Sequence, residues 1–193
     1  MRLFEIEPLA WQARELVEAD IPALQRLFES NGAYHQLVFG RGVQAGDAAE
    51  EFAELPPEGM AYRRLWKLGF FDAAGALAGM ATVIGDFLVT GVGHIGLFMI
   101  DGQRRGSGAA SYAALERWMR EAEGTQWLRL GIVKGNGPAE RFWARCGYTQ
   151  LRERGPVEYG LRQNMIRVMM KPLNGGVSSD YLALVERDRP ETP

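Results

Sequence analysis

Long apolar runs are missing from this chain, and so is a surplus of either charge. No hydrophobic stretch approaches the roughly 20 residues of a membrane span, so no membrane partner is expected. With 22 Lys and Arg against 24 Asp and Glu, the net charge is -2. No basic stripe with interleaved aromatics appears, which speaks against a nucleic-acid partner. The single cysteine, Cys146, cannot form an internal disulfide. The first residues, Met1 to Pro8, scatter Arg2, Glu5 and Glu7 among apolar side chains, which is no signal-peptide pattern and makes a cytoplasmic protein the simplest expectation. Internal repeats and low-complexity segments are absent too. Two familiar phosphate sites are also missing: there is no Gly-Lys-Ser/Thr of a P-loop, and the glycines do not fall at the offsets of a dinucleotide fingerprint.

What is present is one soluble-type domain with a sizeable core, 193 residues of which 47% are hydrophobic and 24% charged, and one stretch that organises it. An apolar run, Ile95 to Ile100, is broken by Asp101-Gly102 and followed by the turn Arg105-Gly106-Ser107-Gly108-Ala109-Ala110. From Ala109 to Glu123, Tyr112, Leu115, Met119 and Ala122 recur at helical spacing and predict one buried helix face. Strand, glycine-rich turn and helix in that order leave the first helical amides without partners, and glycine lets the backbone come close to a ligand. With Arg104 and Arg105 alongside, a phosphate or pyrophosphate is the natural guest. By itself the turn fits a ligand-free connection equally well. A second strand, Trp127 to Val133, leads into Asn136-Gly137-Pro138-Ala139-Glu140-Arg141-Phe142-Trp143-Ala144-Arg145-Cys146-Gly147-Tyr148.

These two motifs together resemble the GCN5-related N-acetyltransferase (GNAT) superfamily, which binds acetyl-coenzyme A. The pyrophosphate signature of that family, Arg/Gln-x-x-Gly-x-Gly/Ala, reads as Arg105, Gly108 and Ala110. Gln103, Gly106 and Gly108 satisfy it in a second register, but the helix pattern begins directly after the first. The later signature appears as Asn136, Ala139, Phe142, Trp143, Gly147 and Tyr148. A generic nucleotide-binding protein would explain the turn and not the second motif. The resemblance implies an α/β (α+β) fold with a mixed, mostly antiparallel twisted sheet of about six or seven strands flanked by helices. The domain is expected over residues 1–172, with a C-terminal tail over 173–193.

The order of elements permits this fold. Gln12 to Val17 predicts a first strand; Asp20 and Pro22 predict the start of a helix carrying Leu24, Leu27 and Phe28. Asp47 to Phe52 suits another short helix. Trp66 to Phe71, Leu77 to Asp86 and His94 to Ile100 predict three strands, the first two joined by a turn at Asp72 to Gly75. The loop Phe87 to Gly93 is longer than a minimal hairpin, and in the family picture it lies near the acetyl end of the cofactor. Gln150 to Arg154 and Asn164 to Lys171 predict a final antiparallel pair. In the tail, Tyr181, Leu182, Leu184 and Val185 are enough for a short docked helix or a partner-facing segment, which leaves a homodimer open.

The resemblance also implies roles. Main-chain groups of Phe98, Met99 and Ile100 would pair with the pantetheine arm as an added strand does, and an amide near Phe98 or Met99 would polarise the thioester carbonyl. Arg105, Gly106, Ser107, Gly108, Ala109 and Ala110 would hold the pyrophosphate, with Asn136 and Phe142 completing the wall. The early helix pair forms one side of the acceptor groove in many members, which makes Tyr34 and His35 candidates for acceptor contact. Trp143 stands where many members carry a tyrosine that protonates the leaving thiolate, and an indole cannot do so. Cys146 and Tyr148 are expected to be structural. For the base, His94 and Asp86 at neighbouring strand ends are the candidates, His94 having the more suitable ordinary pKa. Glu50, Glu51, Glu54 and Glu58 fall near the expected acceptor wall, where they suit a cationic acceptor or a solvated helix face. The expected activity is therefore transfer of an acetyl group from acetyl-CoA, with no metal, to an amine of a small molecule or a protein by direct attack. The alternative is a non-catalytic CoA-binding or acyl-CoA-binding module on the same fold.

Overall fold

A computed structural model describes residues 1–104 and 106–190. Its centre is an eight-stranded sheet in the order β1-β2-β3-β4-β5-β6-β8-β7. The strands are β1 (Arg2–Ile6), β2 (Trp11–Glu15), β3 (Arg64–Phe71), β4 (Leu77–Gly85), β5 (Val92–Ile100), β6 (Trp127–Val133), β7 (Thr149–Tyr159) and β8 (Arg162–Pro172). Every neighbouring pair is antiparallel except β5 with β6. The helices are α1 (Ile21–Glu29), α2 (Gly32–Phe39), α3 (Asp47–Ala53), α4 (Gly108–Glu121), α5 (Gly137–Arg145) and α6 (Ser178–Leu184).

The eighth strand is β1, at the sheet edge, where the sequence pattern had assigned nothing. Its charges hide the alternation: Ile6 is fully buried and Phe4 stacks on Trp118 at 5.4 Å, while Arg2 and Glu5 pair with each other outside. Alternation on β3 is easier to see, with Trp66, Leu68 and Phe70 all buried on one face. That face takes α4. The helix presents Tyr112, Leu115, Trp118 and Met119, whereas Ala122 lies just past the helix end and is exposed. On the opposite face, Leu24, Leu27 and Phe28 of α1 pack against Leu16, Phe71, Met80 and Met99. Asp20 directly precedes α1 but does not cap it with its side chain. Its carboxylate instead accepts from the Val17 amide and from both Arg14 guanidinium nitrogens, at 2.7 and 2.8 Å.

The C-terminal segment is docked. Tyr181 and Val185 bury against Val92, Trp127 and Met170. Beneath them Asp188, wholly buried, accepts two hydrogen bonds from Arg129 on β6 at 2.7 and 2.8 Å, and a third from the Tyr181 hydroxyl at 2.7 Å. Burial alone would raise the Asp188 carboxyl; the guanidinium and the phenol outweigh it and hold the pKa below the ordinary carboxylate value. A carboxyl depressed in the folded state contributes stability above about pH 4, the unfolded value, and loses it as pH falls through the folded one. Replacing Asp188 by Ala leaves Arg129 charged, buried and unpaired. We expect it to lower unfolding free energy by about 3 kcal/mol or more in urea titration, while an Arg129→Met, Asp188→Leu double variant falls much closer to the parent.

Candidate functional site

The site is made by a strand that changes neighbours along its length. On one edge β5 pairs with β4 from His94 to Ile100, but on the other it pairs with β6 only from Val92–Trp127 to Ile95–Leu130. Beyond Ile95 the two parallel strands part. At that point Gly96 drops out of register with β4, because Thr82 pairs with Leu97 and Val83 with Ile95. Such a bulge adds one residue and turns the strand. The β5 edge facing β6 is therefore unpaired from Gly96 to Ile100, and edge amides and carbonyls without partners accept an extended ligand as an extra strand.

A cavity of about 970 Å³ opens at this split, lined among others by Gly96, Leu97, Phe98, Gly131, Ile132 and Trp143. A smaller hollow of about 240 Å³, between Phe98, Ile100, Gly108, Pro138 and Phe142, leads from the start of α4 toward it. Phe98 and Phe142 stack there at 5.9 Å. Of the expected cofactor residues, Phe98, Ile100, Gly108 and Phe142 line this hollow. The Met99 side chain points to the other face, packed with Leu16 and Met80, which leaves only its main chain for the slot. Gly106 has a φ of +94°, which suits glycine, and the Ser107 hydroxyl donates to the Arg104 carbonyl at 2.7 Å. Gly108, Ala109 and Ala110 form the first turn of α4. The Arg104 guanidinium is engaged by Asp72 at 2.5 Å, and Arg105 lies outside the described residues. Asn136 lines the cavity and uses its side-chain oxygen to cap α5, accepting from the Ala139 amide at 3.3 Å. Trp143 is buried among Phe98, Tyr112 and Tyr148, and the two tyrosine hydroxyls meet at 3.2 Å. Burial raises the Cys146 thiol.

The opposite wall comes from α2 and α3. Tyr34 and His35 both line the cavity. Burial raises the Tyr34 phenol, and burial lowers His35, whose ring lies between Phe28 and Phe39 at 5.0 and 5.5 Å with Nδ1 unpartnered. The carboxylate that sequence reasoning treated only as part of an acidic run is Glu51. It accepts from the Thr82 hydroxyl at 2.7 Å, its main-chain carbonyl accepts from Lys67, and burial raises its pKa. Thr82 is the residue opposite Leu97 at the bulge, on the β4 side of β5, and Glu51 lines the same cavity as Gly96, Leu97 and Phe98. Glu50 and Glu54 also line the cavity. No spacing in the sequence could have linked Glu51 to Thr82, since the contact joins a helix to a strand 31 residues on.

The two expected bases fare differently. His94 lines the cavity, stacked on Phe87 at 4.7 Å, with Arg129 Nη1 3.3 Å from its Nδ1. A guanidinium has only donors, so Nδ1 must accept and Nε2 must carry the proton. Burial, and then the Arg129 charge, lower the His94 pKa to about 3. Asp86 does not line the cavity. It sits at φ +52° in the β4–β5 loop, and its two oxygens accept from the Arg63 guanidinium and the Gly91 amide, each at 2.8 Å.

A family model described as "Acetyltransferase (GNAT) family" matches residues 24–148, well over half of the chain. The protein belongs to the GNAT acetyltransferases. Solved structures agree on the fold. An acetyltransferase from Thermus thermophilus superposes with a TM-score of 0.67 at 18% identity, covering 90% of this chain and 100% of that one. Spermidine N-acetyltransferase from Vibrio cholerae, in complex with CoA and spermine, gives 0.62 at 16% identity, over 84% of this chain and 95% of its own. Ribosomal-protein-S5-alanine acetyltransferase from Vibrio fischeri gives 0.62 at 13%, over 86% and 94%. No curated protein sequence matches the chain. Among the described residues of this GNAT protein no helix is long and apolar enough to cross a membrane.

For His94 the geometry has a spectroscopic consequence. Its ring resonances should report the Nε2–H tautomer and stay constant from pH 9 down to about pH 4, whereas an exposed histidine titrates near 6.5. Because the folded pKa lies below the unfolded one, stability present above pH 6.5 is lost progressively as pH falls from 6.5 toward 3. Titration of His94 near 6.5 in the folded protein would contradict the contact with Arg129.

Proposed function

We propose that this protein transfers the acetyl group of acetyl-CoA to a primary amine, by direct attack within a ternary complex. The observation that carries the reading is the unpaired β5 edge at the Gly96 bulge, opening on a cavity that the Glu51 carboxylate also lines. In this proposal the pantetheine arm lies in the hollow between Phe98 and Phe142, and the pyrophosphate lies on Gly106 to Ala110 at the start of α4; Arg105 is assigned to the same phosphates by the sequence motif alone. The amides of Leu97 and Phe98 then stand where a thioester carbonyl oxygen gains charge. Residues 1–172 act as the transferase unit, and the tail 173–193 braces it through Asp188 and Tyr181.

An amine attacks only as the free base. We assign proton removal to Glu51, whose raised pKa makes it a better acceptor than an exposed carboxylate. His94, neutral with Nε2 protonated, acts as a hydrogen-bond donor and not as the base, and Asp86 holds its loop. The amine nitrogen bonds to the carbonyl carbon, the carbon–sulfur bond breaks, and the amine proton passes to Glu51. The CoA thiolate takes a proton from water.

A second reading, a CoA-binding protein without turnover, draws on Trp143, which offers no acid for the thiolate. Calorimetric titration of acetyl-CoA together with a thiol-release assay over an amine panel separates the two. The transferase reading expects micromolar binding and amine-dependent thiol release; binding without release on any amine would favour the second. Glu51→Gln should lower kcat by about a hundredfold or more while leaving acetyl-CoA binding intact. The rate of the parent should rise with pH through the Glu51 pKa, because the base works only when deprotonated. Gly108→Asp should abolish acetyl-CoA binding by charge: its Cβ would meet Phe142 at 3.6 Å, an ordinary contact, so the fold tolerates it.

A further inference from the structure

The cavity carries both signs of charge, and its cationic side chains are unexplained by acetyl-CoA. From α3 it takes Glu50, Glu51 and Glu54, with Lys67 the cation set against Glu51 and the Arg41–Asp47 pair in the same lining. A second group in the lining is cationic: Arg129, Arg154, Arg187 and His94. Three guanidiniums meet there, and the carboxylate beside them, Asp188, is spent on Arg129 and Tyr181. The side chains of Arg154 and Arg187 form no ion pair and donate no hydrogen bond among the described residues. Arg152 does have partners. It donates to the main-chain carbonyls of Arg187 and Arg189 at 3.2 and 2.7 Å, which fixes the backbone that carries Arg187 beside the cavity. His94, whose Nδ1 is taken by Arg129, keeps its Nε2–H donor free of that contact.

Uncompensated cations cost free energy unless a ligand supplies the opposite charge. Burial, and then the charges of Arg187 and Arg129, lower the Arg154 pKa, the response of a cation held among like charges. A bound anion relieves that repulsion, and a guanidinium fork fits carboxylate or phosphate oxygens better than any other side chain does.

We propose that the acceptor is a small amine that also carries an anionic group, a carboxylate or a phosphate, which Arg154 and Arg187 receive while the amine faces Glu51. This rests on the transferase reading above and narrows it to one class of acceptor. A polyamine has charge for the acidic wall and nothing for the guanidiniums, and would be repelled by them. The tail then contributes directly to specificity, since Arg187 belongs to it.

A matched panel assayed by thiol release with acetyl-CoA tests this, with L-phenylalanine, L-phenylalaninamide, phenethylamine, phosphoethanolamine, ethanolamine and spermidine as acceptors. Calorimetric titration of each into the CoA-bound protein runs in parallel, so that binding is read even without turnover. The proposal expects the carboxylate or phosphate form to exceed its uncharged counterpart by about tenfold or more in kcat/KM or in affinity. The phenylalanine and phosphoethanolamine arms show which anion is meant. In an Arg154→Gln, Arg187→Gln double variant that ratio should collapse toward unity, mainly through KM, and Arg154→Lys should restore part of it. Preference for spermidine or the neutral amines, an unchanged ratio in the double variant, or no binding of either anionic probe would overturn it. Failure of the transferase reading looks different: acetyl-CoA itself would not bind, or no amine at all would be acetylated.

Discussion

Everything in this molecule that can do chemistry depends on the failure of β5 and β6 to stay paired. A parallel pair needs evenly spaced, slanted hydrogen bonds along its whole length. Here four residue pairs form and the ladder stops at Ile95–Leu130. The cause is visible on both sides of the gap. Gly96 bulges out of register with β4, which turns β5, while β6 stays paired with β8 from Trp127 to Val133. One strand turns and its neighbour cannot follow. The result is a wedge-shaped opening with unsatisfied main-chain groups on one side and α5 filling part of it through Phe142 and Trp143. An open edge inside a fold is costly unless something pairs with it, and in the proposed transferase that is the role of a substrate arm with amide groups.

The second constraint is the ion pair beneath the tail. Arg129 is 7% exposed and Asp188 not at all. Such a pair is a poor source of net stability but a strong source of specificity, because removing one partner strands the other. Its position explains why a short C-terminal helix of seven residues stays in place. The same Arg129 turns toward His94 and sets its tautomer. The tail is thus connected to the cavity through two side chains, Asp188 and Arg129, the second of which reaches His94.

Much of this was legible in the sequence. Membership of the family rested on Asn136, Ala139, Phe142 and Gly147 at their spacing after a glycine-rich turn, and the family match agrees. The strand β6 was readable because five of the residues from Trp127 to Val133 are large and apolar, interrupted only by Arg129 and Gly131. The hollow residues Phe98, Gly108 and Phe142 were readable because local motifs carry them. The edge strand β1 was not, since its outward charges mask five residues of alternation, nor was the bulge at Gly96, which exists only relative to β4. Long-range polar contacts were out of reach for the same reason. Glu51 meets Thr82 and Arg129 meets Asp188 across 31 and 59 residues, and no period or spacing encodes such pairs. Asp86 is the reverse case: a polar residue at a strand end suggested a base, whereas one of its oxygens accepts from Arg63 and the other from the Gly91 amide, and it is not among the cavity-lining residues.

Trp143 is the feature that sits least easily with an active enzyme, and its weight can be judged physically. A tyrosine helps by protonating a thiolate as it leaves. A free thiol has a pKa near 8.5, so a thiolate is only weakly basic and departs at neutral pH without concerted protonation. An alkoxide, far more basic, would need the acid. The other phenols nearby are poor proton donors, because Tyr112 and Tyr148 are buried with their hydroxyls on each other and burial raises both. The demanding proton in this reaction is the one on the amine, whose ammonium form cannot attack at all. In the proposed mechanism Glu51 answers that demand, so the lack of an acid at Trp143 costs less than the loss of that base would. The balance of the two proton transfers favours turnover over mere binding.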